Sequence, residues 1–142
     1  MRHLLLALLF FSVACSNSSE PPPPFTVTFS DVTRSTGLNP DTQRHECRFD
    51  LTATASGGRT QDFALWLASQ GEFRLNDGTE FEFDLDVVDV LDYWGSDRIV
   101  TGETQVAPRA ADASEPFDLA YTFRYQDPDG RFLSEFVFVD CQ

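Results

Sequence analysis

The 142-residue chain contains no lysine at all, and its ten basic residues, all arginine, stand against 23 acidic ones for a formal charge of −13. A basic patch is what phosphate binding requires, so nucleic acid is excluded as a partner. Histidine is almost as scarce, with two in the chain. His3 lies in the extreme N-terminal stretch, which leaves His45, beside Glu46 and Cys47, as a surface histidine with no partner motif. There is no Gly-x-Ser-x-Gly elbow, no His-Glu-x-x-His pair and no phosphate-cradling glycine loop, so no catalytic machinery is signposted. Zinc is not expected either, because one imidazole and a committed cysteine pair offer no ligand cluster.

Long apolar runs are also missing but for one, Leu4 to Val13. Its length is that of a signal-peptide core and short of a membrane span, and Arg2 with the free amino terminus supplies the positive flank. Ser12-Val13-Ala14-Cys15 resembles the lipobox of bacterial lipoproteins. That resemblance implies that residues 1–14 are excised and that Cys15 carries the lipid. Ser16 after the cysteine is similar to the pattern sorted to the outer membrane. An ordinary secretory signal cut after Ala14 is the alternative, since Ser12 and Ala14 also satisfy the small-x-small rule.

Three cysteines are an odd number for an exported protein, and lipidation of Cys15 leaves Cys47 and Cys141 to pair. Residues 15–24, ending in Pro21-Pro22-Pro23-Pro24, bury nothing apolar and read as a tether with an extended polyproline rod. From Phe25 to Gln142 the length suits one domain.

Within that domain, period-two alternation dominates. Phe25, Val27 and Phe29 alternate with polar residues, as do Cys47, Phe49, Leu51, Ala53 and Ala55. Phe63 to Ala68 forms a further apolar segment, with Gly71 expected to mark a bulge or turn before Phe73 and Leu75. Asn76-Asp77-Gly78 predicts a β-hairpin turn leading to Phe81, Phe83 and Leu85. Asp89 to Asp97 breaks the alternation and reads as an irregular crossing. Ile99 to Val106 reads as a strand and Ala107 to Pro116 as a loop. Phe117 to Tyr125, the turn Asp127-Pro128-Asp129-Gly130 and the return from Phe132 predict a second hairpin. The run Phe136-Val137-Phe138-Val139, apolar on both faces, is expected in a central strand. Seven or eight short strands with regular turns predict an all-β fold, an antiparallel two-sheet sandwich with one disulfide. The architecture resembles the immunoglobulin and fibronectin type III class.

Two groups of residues are candidate sites. Tyr93, Trp94, Asp97 and Arg98 combine aromatics and arginine in a segment that breaks the strand pattern, the residue types of interface hot spots. Asp89, Asp92, Asp127 and Asp129 are the loop carboxylates from which a Ca²⁺ site could be assembled, calcium being the one cofactor the sequence suggests. The expected function is a lipid-anchored, non-catalytic interaction or structural module on the cell envelope, reaching the membrane through its lipid and an envelope protein or glycan through its surface. The alternative is a small ligand-binding domain, for carbohydrate or Ca²⁺, or a hydrolytic one.

Overall fold

Alternation of apolar and polar residues puts one face of each strand in the core, and two such sheets close over each other in the computed structural model, which describes residues 20–142. The expected signal segment and Cys15 lie outside the described residues. Strands β1 (Thr26–Asn39), β2 (Arg44–Ser56), β3 (Phe63–Leu75) and β4 (Glu80–Leu85) come first. A helix, α1 (Val87–Trp94), separates them from β5 (Arg98–Val100), β6 (Thr104–Ala113), β7 (Phe117–Gln126) and β8 (Phe132–Val139). One sheet has the order β1-β2-β6; the other runs β4-β3-β7-β8, with β5 paired to β3. Every pairing is antiparallel. The fold is therefore the expected two-sheet sandwich, with eight strands.

Both predicted hairpins form where turn chemistry placed them. Gly78 at φ 87° joins β3 to β4, and Gly130 at φ 81° closes the β7–β8 turn. Phe117, Leu119, Tyr121, Phe123 and Tyr125 are all buried on one face of β7. The disulfide Cys47–Cys141 spans 94 residues and joins β2 of the smaller sheet to the segment just after β8 of the larger one.

Four expectations are corrected. Residues 87–94 form a helix and not an irregular crossing: Asp86 accepts from the amides of Val88 and Asp89, Asp89 returns a bond to the Asp86 amide, and Gly95 caps the other end at φ 68°. This capping box and left-handed glycine outweigh the poor helix propensity of three valines. Gly71 makes neither bulge nor turn. The register slips at Ala68-Ser69, where the Ser69 hydroxyl accepts from the Arg124 amide at 3.0 Å. Gly71 instead makes room for Phe83, whose ring would stand 2.0 Å from any Cβ there. The span from Ile99 to Pro116 is divided differently, because Thr101-Gly102 turns the chain and residues 104–113 form one strand. That strand edges its sheet, where Pro108 can sit opposite Asp50 without a donor to spare. Finally, β8 is an edge strand and not a central one.

The proline run is not wholly a free rod either. Pro23 accepts from the Gly58 amide at 2.7 Å, and a Cβ on Gly57, which has φ 71°, would stand 2.0 Å from the Pro24 carbonyl oxygen. Two glycines in the β2–β3 turn thus seat Pro23 and Pro24 against the domain.

Removing the disulfide tests its share of stability. Closing a loop of this length constrains the unfolded chain by about 4 to 5 kcal/mol in the chain-entropy treatment, an upper figure. The Cys47→Ala, Cys141→Ala double variant is expected to fall by up to that amount in urea denaturation, with an unchanged pattern of strand signals in the folded baseline.

Candidate functional site

The segment singled out for partner binding divides between core and surface. Trp94 is 6% exposed and stacks on Trp66 from the facing sheet, centroids 5.3 Å apart. Phe29 and Phe123 close around it at 5.9 and 5.0 Å. Tyr93 is half-buried, its ring covered by the Arg109 guanidinium at 3.9 Å. Arg109 also holds Asp92 at 3.2 Å, so one arginine from β6 pins the helix. The Tyr93 and Tyr121 hydroxyls lie 3.5 Å apart, and burial, then the nearness of Tyr93, pushes the Tyr121 phenol above its ordinary range. Asp97 and Arg98 remain exposed and pair with each other at 2.9 Å. Arg98 holds the Asp97 carboxyl below the usual range, and its guanidinium lies 4.8 Å over Phe63.

The four aspartates considered for calcium fall into two pairs with separate structural duties. Asp89 closes the helix cap and Asp92 meets Arg109. Asp127, buried in the β7–β8 turn, accepts from the amides of Asp129 and Arg131 and from the Arg131 guanidinium at 2.7 Å. Asp129 faces the same arginine at 3.2 Å. Among the described residues, no three His, Cys, Asp or Glu side chains converge as a metal site would need. Burial alone would raise the Asp127 carboxyl, but the Arg131 amide and guanidinium outweigh it and hold the group below its ordinary value.

What the sequence reading missed lies on the outer face of the five-stranded sheet. Side chains of β8 that point away from the core are Phe132, Ser134, Phe136 and Phe138, and the three phenylalanines are 74%, 57% and 41% exposed. Register places them in rows across the sheet. Phe138 lies beside Ala120, Glu72 and Glu82; Phe136 lies beside Thr122, Gln70 and Asp84. Small residues on β7 between larger ones on either side leave a groove of about 120 Å³ over Ala120 and Thr122. Arg74 reaches into this region. It pairs with Glu72, lies 3.8 Å from Glu80, and has its guanidinium 6.0 Å from the centre of the Phe136 ring.

Towards the other end of the same face, Phe132 neighbours Gln126 and Leu65. A cleft of about 350 Å³ lies there between Phe63, Leu65, Gln126 and the Pro128–Gly130 turn. Its carboxylates are already engaged, Asp127 by Arg131 and Asp62 by the Arg59 amide at 2.7 Å. The face can thus offer aromatic area, a carboxylate bank and few uncommitted catalytic groups. Period-two alternation marks Phe132, Phe136 and Phe138 as one face. Nothing in the run itself says which face is wet.

The sequence matches no protein-family description and no curated protein. Solved structures share the fold. The crystal structure of the putative ApaA protein from Bordetella pertussis superposes with a TM-score of 0.62 at 15% identity, covering 83% of this chain and 95% of its own. A second X-ray structure, the structural-genomics target SoR45, gives a TM-score of 0.51 at 12% identity, with 82% and 86% covered.

Two measurements follow from the placement of Trp94 and Asp127. Trp94→Ala should lower unfolding free energy by about 3 to 5 kcal/mol, the cost of emptying a large aromatic site, whereas Arg98→Ala should leave it within about 0.5 kcal/mol. Because the folded Asp127 carboxyl is depressed, its contribution is present above the unfolded value near ~3.9 and is lost as pH falls through the folded one. Urea midpoints at pH 7 and pH 3 should therefore differ less in Asp127→Asn than in the wild type.

Proposed function

We propose that this protein is a lipid-anchored, non-catalytic binding module of the bacterial cell envelope, and that its binding surface is the outer face of the five-stranded sheet. The observation that carries this reading is the exposure of Phe132, Phe136 and Phe138 on one face while the interior is filled with aromatic side chains of its own. A monomer that had no use for such a patch would gain solubility from polar residues there, and contiguous exposed apolar area marks an interaction surface. The strong acidity keeps the domain soluble in spite of the patch.

Anchoring rests on the lipobox-like Ser12-Val13-Ala14-Cys15 and on the cysteine count, with Cys47 and Cys141 consumed by each other. The seated prolines then hold the last residues of the tether against the domain. The carbohydrate-binding or hydrolytic alternative draws less support, because the carboxylates at the cleft are held by Arg131 and the Arg59 amide and are not paired across open space.

Site-specific photo-crosslinking in intact cells tests the binding face. A photoreactive phenylalanine at position 136 or 138 should give a discrete adduct, and the same group at Val106, exposed on the opposite sheet, should not. Equal labelling at all three positions, or none, would count against the assignment. Anchoring is checked separately: Cys15→Ser should move the protein from the membrane to the soluble fraction, since a chain without its acyl groups loses about 0.8 kcal/mol per buried methylene.

A further inference from the structure

We infer that the groove between β8 and β4 receives a cationic amphipathic helix of a partner protein, its apolar stripe on Phe136 and Phe138 and its basic stripe against Glu82 and Asp84. This rests on the binding-module reading above and adds the chemistry of the partner. The argument begins with width. Strands lie about 4.8 Å apart, so the phenylalanine row on β8 and the carboxylate row on β4 stand three spacings, roughly 14 Å, from each other. The floor between them is made of Ala120, Thr122, Gln70 and Glu72, and the two small residues of β7 make it concave. A helix with side chains is about 10–12 Å across, the size that bridges both rows from above.

Charge chooses among helices. Glu72 lies on the floor of the groove and Glu82 at its side, with Glu80 and Asp84 to either side of Glu82 along β4, and Arg74 is the cation placed among them. Arg74 answers Glu72 and Glu80, leaving Glu82 and Asp84 without an ion pair among the described residues, Asp84 accepting only from the Gln70 amide group at 3.4 Å. Both are exposed on an edge strand. Arg74 also shows what the groove accepts, because its guanidinium already rests between carboxylates and the Phe136 ring. Phenylalanine faces attract cations as well as apolar groups, so basic side chains are favoured on both banks. An acidic helix would meet repulsion from Glu82 and Asp84, and a second copy of this chain would bring a charge of −13 against the same sign. Arg124, one row further along, ends the acidic half and confines the basic contact to about two helical turns.

The test uses the exported protein carrying Cys15→Ser and three 18-residue peptides. One is a helix with lysines on one side and leucines on the other; the second replaces its lysines with glutamates; the third has the composition of the first with the amphipathic order scrambled. Amide chemical shifts of Glu72, Ala120, Thr122 and Phe138 should move with the first peptide and not with the others. Glu82→Gln with Asp84→Asn should weaken that binding about tenfold, as should Phe136→Ser with Phe138→Ser, equivalent to about 1.4 kcal/mol at each bank. Glu20→Gln with Asp41→Asn makes the same change of net charge off this face and should alter affinity less than about twofold at 0.15 M salt. Melting curves confirm that each variant is folded. Equal binding of the glutamate peptide, shifts confined to other surfaces, or equal weakening by the control pair would overturn the inference. If crosslinks at position 136 persist in that event, the face binds a partner of different chemistry and the module reading stands; if they are absent too, both fall.

Discussion

Everything in this domain is arranged around the stacking of Trp94 on Trp66. The two rings come from a short helix and from a strand of the larger sheet, and Phe29 of the smaller sheet packs on both, at 5.9 and 6.0 Å. One aromatic cluster therefore joins three elements that have no backbone pairing with one another. It explains why an eight-residue helix survives inside an otherwise all-β chain: isolated helices of that length are marginal, and burial of one face supplies what propensity does not. It also fills the space between the sheets with aromatic side chains.

How much of this was legible depended on whether the signal was local. Turns were readable, because Asn76-Asp77-Gly78 and Asp127-Pro128-Asp129-Gly130 demand particular backbone angles that few residues meet, and the disulfide followed from counting thiols. The helix carries its signature at its ends, in Asp86, Asp89 and Gly95, while its middle of valines and leucine reads as strand; attention to periodicity alone passes over it. Residues 107–113 have the composition of a loop, yet pair with β2 because an edge strand needs only half of its backbone groups satisfied in the sheet. The identity of the wet face was the least legible feature. Phe136 and Val137 are both apolar, and only the position of β8 at the edge, with nothing over its outer side among the described residues, separates them.

In both groups singled out from sequence, the residue that draws most notice is engaged within the domain for the same physical reason. Trp94 and Asp127 are both residues that attract notice as functional groups, and both are committed by burial, one to ring packing and the other to a guanidinium and two amides. The exposed aromatic and acidic groups reside instead in residues that sequence alternation assigns as unremarkable: Glu82 and Asp84 on β4, phenylalanines on β8, and an alanine between them. The proposed face is a property of register: Glu82, Glu72, Ala120 and Phe138, far apart in the chain, are brought into one row.

The seated prolines have a mechanical consequence. A pull on the chain upstream of Pro22 is met first by the Gly58–Pro23 hydrogen bond and then by β1, which begins opposite Ser56 and would peel from β2 one pair at a time. β1 lies outside the loop closed by Cys47 and Cys141, whereas every strand of the phenylalanine face, β3, β4, β7 and β8, lies within it. Tension from an anchor would accordingly pay out a limited length of chain, up to Cys47, and then pass through the sulfur bridge to the end of β8. The bridge thus keeps the four strands of the phenylalanine face in one closed loop even where the first strand is drawn away.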